Sequence, residues 1–146
     1  MGTWAAGPFD NDAAADWCGE LDEAPPQRRP TLVEGALREA VREGDFLDSW
    51  PGAKAVAAAA VVAAHLPGGP PVDSAYAPGF LTAGGRLAIP TELPALALRA
   101  LDRVLADGSE LAELWEEAGE LDEFAAALAP IRAALAGPGP AGHAAG

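Results

Sequence analysis

Four polar residues crowd the start of this chain between two aromatics. In the stretch GPFDNDAAADW, Asp10, Asn11, Asp12 and Asp16 lie between Phe9 and Trp17. Carboxylates at this spacing are the raw material of a cation site or of acid–base chemistry. An EF-hand calcium loop needs oxygen ligands at alternate positions, then a turn glycine and a distant glutamate. Asp10 and Asp12 fit the first ligand positions, but Ala14 and Ala15 stand where a ligand and the glycine are required. A standard calcium loop is therefore rejected. On a helix, Asp12 and Asp16 share a face at i, i+4, and a magnesium or two-metal site would need further carboxylates from another helix. Asp10, Asp12 and Asp16 are the candidate metal ligands. The competing reading is a helix start, in which Asp10, Asn11 and Asp12 accept bonds from free N–H groups and their charge suits the helix dipole. Phe9, Trp17 and Trp4 then serve as core anchors. The second reading is the one preferred, so no metal or cofactor is assigned.

Nucleophilic chemistry has little to stand on. The one cysteine, Cys18, sits beside Trp17 and reads as a small buried apolar residue. The two histidines are His65, which closes an alanine-rich segment, and His143 in the tail. A cation at His65 suits a helix C-terminus. A pair of His65 with Cys18 or an aspartate stays open as a base–nucleophile arrangement. No G-x-S-x-G, phosphate-loop or dinucleotide fingerprint occurs. No catalytic residue is assigned.

The elements that would position these residues are helices divided by glycine and proline. No stretch alternates β-branched or aromatic residues with polar ones over five positions. A first helix runs from Asn11 or Asp12 to about Leu21, and DEAPPQRRP then enforces an extended connection. In PTLVEGALREAVRE, Thr31 and Glu34 form a capping-box pattern, with Gly44 as the C-terminal cap. Its apolar stripe is Leu32, Val33, Ala36, Leu37, Ala40 and Val41, and Glu34–Arg38 is a favourable i, i+4 pair. The segment from Ala53 to Leu66 is apolar on all sides, which marks a buried central helix begun near Ser49 or Trp50. Residues 67–90 form a long connection, either a crossover or a functional loop. A helix from Glu92 to Ala106 follows, capped by Thr91. A short one from Glu110 to Ala118, capped by Ser109, buries Leu111, Leu114 and Trp115. The last runs from Glu120 to Leu135, with Pro130 imposing a kink or an early end. All four tryptophans, Trp4, Trp17, Trp50 and Trp115, read as core residues.

The expected fold is all-α: a compact single domain of five or six helices around the alanine-rich one, spanning 1–136, with a flexible Gly/Pro/Ala tail at 137–146. The chain of 146 residues is long enough for one such core. Nine basic against 22 acidic residues give a formal charge of −13. Such a surface repels nucleic-acid phosphates and attracts basic partners. The most apolar run, Ala55 to Ala64, is too short to cross a bilayer. The N-terminus has neither the basic nor the apolar region of a secretion signal. Ala6 replaces the Ser or Thr of a myristoylation pattern after Gly2. The expected location is the cytoplasm.

MGTWAAGPFDNDAAADW also resembles the opening of a bacterial family, the domain of unknown function numbered 4259 (DUF 4259), whose members begin M-G-x-W-G-x-G-x-F-D-N-D-x-A-x-D-[WF]. Met1, Gly2, Trp4, Gly7, Phe9, Asp10, Asn11, Asp12, Ala14, Asp16 and Trp17 match. AKAVAAAAVVAAHL and SELAELWEEAG are similar as well, so the resemblance covers about residues 1–136. Ala5 departs from the family's glycine, and Ala13 from a position where an acidic residue is common. The resemblance implies a structural signature at the N-terminus and no particular activity.

The functional expectation is a non-enzymatic protein-interaction module, immunity-like or regulatory, that binds a basic protein. It excludes nucleic acid and membrane as partners and leaves the oligomeric state open. The rival readings are a small metal-dependent or hydrolytic enzyme using Asp10, Asp12, Asp16 and His65, and a structural protein without a dedicated ligand.

Overall fold

The computed structural model describes residues 12–70, 79 and 88–137. Among them are six α-helices: α1 (Asp12–Glu23), α2 (Arg29–Arg42), α3 (Ser49–Ala64), α4 (Leu93–Leu105), α5 (Glu110–Glu117) and α6 (Leu121–Leu135). A single 3-10 turn, Pro26–Arg28, links α1 to α2. The fold is all-α. The only bridge between extended segments among the described residues joins Leu47 to Ser109.

Helix α3 is the axis on which the others pack: α1, α2, α4, α5 and α6 all touch it. It buries Gly52, Ala53 and every residue from Ala55 to Ala63, none larger than valine. Small side chains on every face let neighbouring backbones approach, and the larger residues of those neighbours fill the space between. Val33, Leu37, Leu96, Leu101, Val104, Leu128 and Ile131 are buried around it. They recur at helical spacing on α2, α4 and α6, as the apolar stripes predict. Trp17, Cys18 and Leu21 of α1 join the same core. Trp115 of α5 stacks on Phe124 of α6, with ring centroids 5.4 Å apart and planes within 8°, which ties the two C-terminal helices together.

Several local expectations are corrected. The link from α1 to α2 is not extended throughout, because Pro26–Arg28 coil into a 3-10 turn that feeds straight into α2. That helix consequently starts at Arg29, two residues before Thr31, so the capping box does not form. Glu34 instead takes Arg38 at 2.7 Å. Gly44 is not a left-handed cap: α2 ends at Arg42, and Glu43 already has extended angles, φ −76° and ψ 104°. The chain leaves directly for the bridge at Leu47. Thr91 makes no cap either, since α4 follows a turn in which the Leu93 N–H donates to Pro90 O. Pro130 does not end its helix. It lies on the exposed side of α6, which continues to bury Ile131, Ala134 and Leu135. Ser109 does cap α5, its hydroxyl accepting from the Ala112 N–H at 3.4 Å. Residues 1–11, most of the 67–90 connection and the tail beyond Gly137 lie outside the described residues.

Candidate functional site

The N-terminal carboxylates are placed by the period of α1. Ala13, Ala14, Trp17, Cys18 and Leu21 turn inward, which leaves Asp12 and Asp16 on the exposed side. Asp12 lies in the first turn, where its charge complements the free N–H groups. Among the described residues, no three His, Cys, Asp or Glu side chains gather as a metal ion would require. Gly2, Trp4, Gly7, Phe9, Asp10 and Asn11 lie outside the described residues. Farther along α1, Asp22 reaches across to the long connection, where the Gly79 N–H donates to its Oδ2 at 2.7 Å.

Cys18 is buried in the core. Burial pushes its thiol up to about 12 from 9.0, and the neighbouring Asp22 charge adds to the shift. A thiol held so far from ionisation is a poor nucleophile. His65 sits at the C-cap of α3, and its ring Nδ1 donates to Val61 O at 2.8 Å. That bond fastens the ring to the helix end, consistent with a terminal position on α3.

A second group of residues stands out at the other end of α3. The chain before α3 runs alongside the start of α5. The Leu47 N–H donates to Gly108 O at 2.7 Å, and the Glu110 N–H donates to Leu47 O at 2.8 Å. In extended backbone, successive side chains point to opposite sides. Leu47 faces inward with no exposure, and Phe46 faces out with 43% of its surface in solvent. Gly108 is required here: its φ is +81°, and a Cβ would lie 2.7 Å from Asp45 O. Arg103 of α4 braces the same corner, its guanidinium donating to Glu43 O at 2.7 Å and to Gly108 O at 3.2 Å.

Helix α3 receives its N-terminal cap from a distant residue. Its own Asp48 makes no side-chain cap. The Ser49 N–H donates instead to Glu110 Oε1 of α5 at 2.8 Å. Leu114 stands one turn after Glu110 on the same side of α5. Trp50 is 49% exposed and Leu114 44% exposed. Both were expected in the core, and both are corrected. Gly52, Ala53 and Leu111 fill the interior at this point, with Gly52 directly against Leu47 and Leu111. An eight-residue helix such as α5 buries one narrow stripe, here Leu111, Ala112 and Trp115, and Leu114 falls beside it.

Phe46, Trp50 and Leu114 are the large apolar side chains left exposed among the described residues. The two stretches of chain that carry them are acidic. Residues 43–50 contribute Glu43, Asp45 and Asp48, and residues 107–117 contribute Asp107, Glu110, Glu113, Glu116 and Glu117. Neither stretch contains a lysine or arginine. Residue type alone hid the exposure of Trp50 and Leu114, because tryptophan and leucine read as core. The one available signal was the acidic bias of SELAELWEEAG.

The chain belongs to the family described as Domain of unknown function (DUF4259), whose model matches residues 2–127. No curated protein and no solved structure matches it. No described helix is long and apolar enough to cross a membrane.

Proposed function

We propose that this member of the DUF4259 family is a non-enzymatic interaction module that binds a basic protein. The observation that carries the reading is the distribution of charge. The net charge of −13 is not spread evenly, and the stretches at 43–50 and 107–117 hold eight carboxylates with no lysine or arginine. A surface of one sign accelerates encounters with a partner of the other and discourages wrong ones. A partner so recognised would be neutralised or regulated by occlusion, as an immunity-like or regulatory protein acts. Asp12 and Asp16, the described members of the N-terminal carboxylate group, point into solvent, and the Cys18 thiol is protonated far above neutral pH. Both fit a binding role better than a hydrolytic one.

Native mass spectrometry and pull-down from the source cell, repeated across a salt series, test the reading. A basic protein retained at low salt and released as salt rises supports it. Recovery of no basic partner, or of partners indifferent to salt, overturns it. A gene for a small basic protein beside the coding sequence would identify the first partner to try.

A further inference from the structure

We infer that α1 is a releasable arm latched by Arg29: it leaves α3 and returns as a unit while α2–α6 stay folded. The inference is independent of the partner proposed above. It rests on how the helices interlock. Helices α2, α4, α5 and α6 each pack on α3 and on at least one other of the four, so none of them can leave without opening two interfaces. Among the described helices, α1 packs on α3. Its neighbour in sequence, α2, is joined to it through the 3-10 turn at Pro26–Arg28 rather than by a packed face.

The joint between α1 and α2 is held by polar bonds. From the first turn of α2, Arg29 Nε donates to Leu21 O at 2.9 Å and Arg29 Nη2 to Asp22 O at 2.8 Å. These are carbonyls that a helix end leaves without an intrahelical partner. Asp22 also accepts from the Gly79 N–H at 2.7 Å. The buried face of α1 consists of Ala13, Ala14, Trp17, Cys18 and Leu21, of which only Trp17 and Leu21 are large. Release gives up that face and these bonds and returns the conformational entropy of twelve residues. Global unfolding gives up the same contacts together with the faces of the other five helices. An element that detaches at lower free energy than the whole opens first. Release also uncovers Cys18, which is 3% exposed in the docked arm, so its thiol reports the motion.

The test is native-state hydrogen exchange on the full chain in a low-urea series, with Cys18 labelled in parallel by an aromatic disulfide. In that labelling the Cys18 sulfur bonds to one sulfur of the reagent and the other leaves as a thiolate. The amides of Trp17, Cys18 and Leu21 are expected to share one opening constant, at least about a hundredfold above that of Leu101 and Val104 in α4. Labelling should return the same constant, with a urea dependence above zero and below that of global unfolding. Two variants separate arm from bundle. Ile131→Val weakens contacts that the opened form keeps. It should raise the α4 constant about fivefold and leave the α1 constant unchanged. Arg29→Ala removes bonds that the opened form loses, and should raise the α1 constant about tenfold. The measurement on the unaltered protein stands on its own if a variant does not fold. Equal constants in α1 and α4, labelling indifferent to urea, or an α1 constant that rises with Ile131→Val overturns the releasable arm. An α1 constant unmoved by Arg29→Ala overturns the latch.

Discussion

Helix α3 and the corner at its N-terminus sit within one turn of each other and treat apolar surface in opposite ways. The helix buries eleven residues, all glycine, alanine or valine. The corner leaves a phenylalanine, a tryptophan and a leucine between 43% and 49% exposed. Want of core space does not account for the difference, because Leu47, adjacent to Phe46, is fully buried. Nor does the need for large side chains in the interior, which the helices around α3 already supply. The contrast teaches that at the Leu47–Ser109 bridge burial follows backbone direction rather than residue type.

Substitutions can break or sharpen that contrast. The largest effect belongs to Leu47→Ala, which removes a fully buried side chain and should cost about 2–5 kcal/mol in urea unfolding at an unchanged m-value. Overfilling the axis comes next. Ala59→Leu, at a position with no exposure, should cost about 1–3 kcal/mol by the same measurement, with helix content kept. A change near neutral would mean that α3 is loosely packed.

The third effect is confined to alkaline solution. Cys18 has its folded pKa raised from 9.0 to about 12, so the folded state holds its proton while the unfolded state loses it. The stability from the neutral thiol is complete below 9.0 and is lost as pH rises toward 12. By pH 10 the loss should reach about 1.4 kcal/mol, measured as a slope in stability that Cys18→Ala removes. Ser109→Ala should follow, at about 0.5–1 kcal/mol, because it deletes the cap on α5 while leaving the bridge backbone intact. Phe46→Ser and Trp50→Ser, at half-buried positions, should each cost about 1 kcal/mol in thermal and urea unfolding, well short of Leu47→Ala. If Phe46→Ser matched Leu47→Ala, the corner would be core after all.

The helical plan was legible because its evidence is local. Leu93, Leu96, Ala100, Leu101 and Val104 repeat with the helical period, and all are buried. The axial helix was legible from alanine on every face. Caps were read less well, since a cap depends on the path of the chain before the helix. Thr31 was overtaken by the 3-10 turn at Pro26–Arg28 and Gly44 by the extended exit toward Leu47, whereas Ser109 had no competitor. The corner was least legible. Only the pairing of Leu47 with Ser109 decides which of two neighbouring apolar residues, Phe46 or Leu47, turns inward, and that pairing spans about sixty residues. The carboxylates of α1 could be placed on one face from their spacing, and Asp12 and Asp16 do share the exposed side.

The bond from Ser49 to Glu110 has a kinetic side. It joins residues 61 apart in the chain, so the central helix begins folding without the group that closes its first turn. Contacts of such separation form only after the intervening chain has been drawn in, and the entropy of that closure grows only slowly with length, by about 0.6 kcal/mol per doubling. The start of α3 is thus secured by a contact that local helix formation cannot supply. Removing the acceptor with Glu110→Ala should hasten unfolding more than it slows folding, as read from the two arms of a chevron plot.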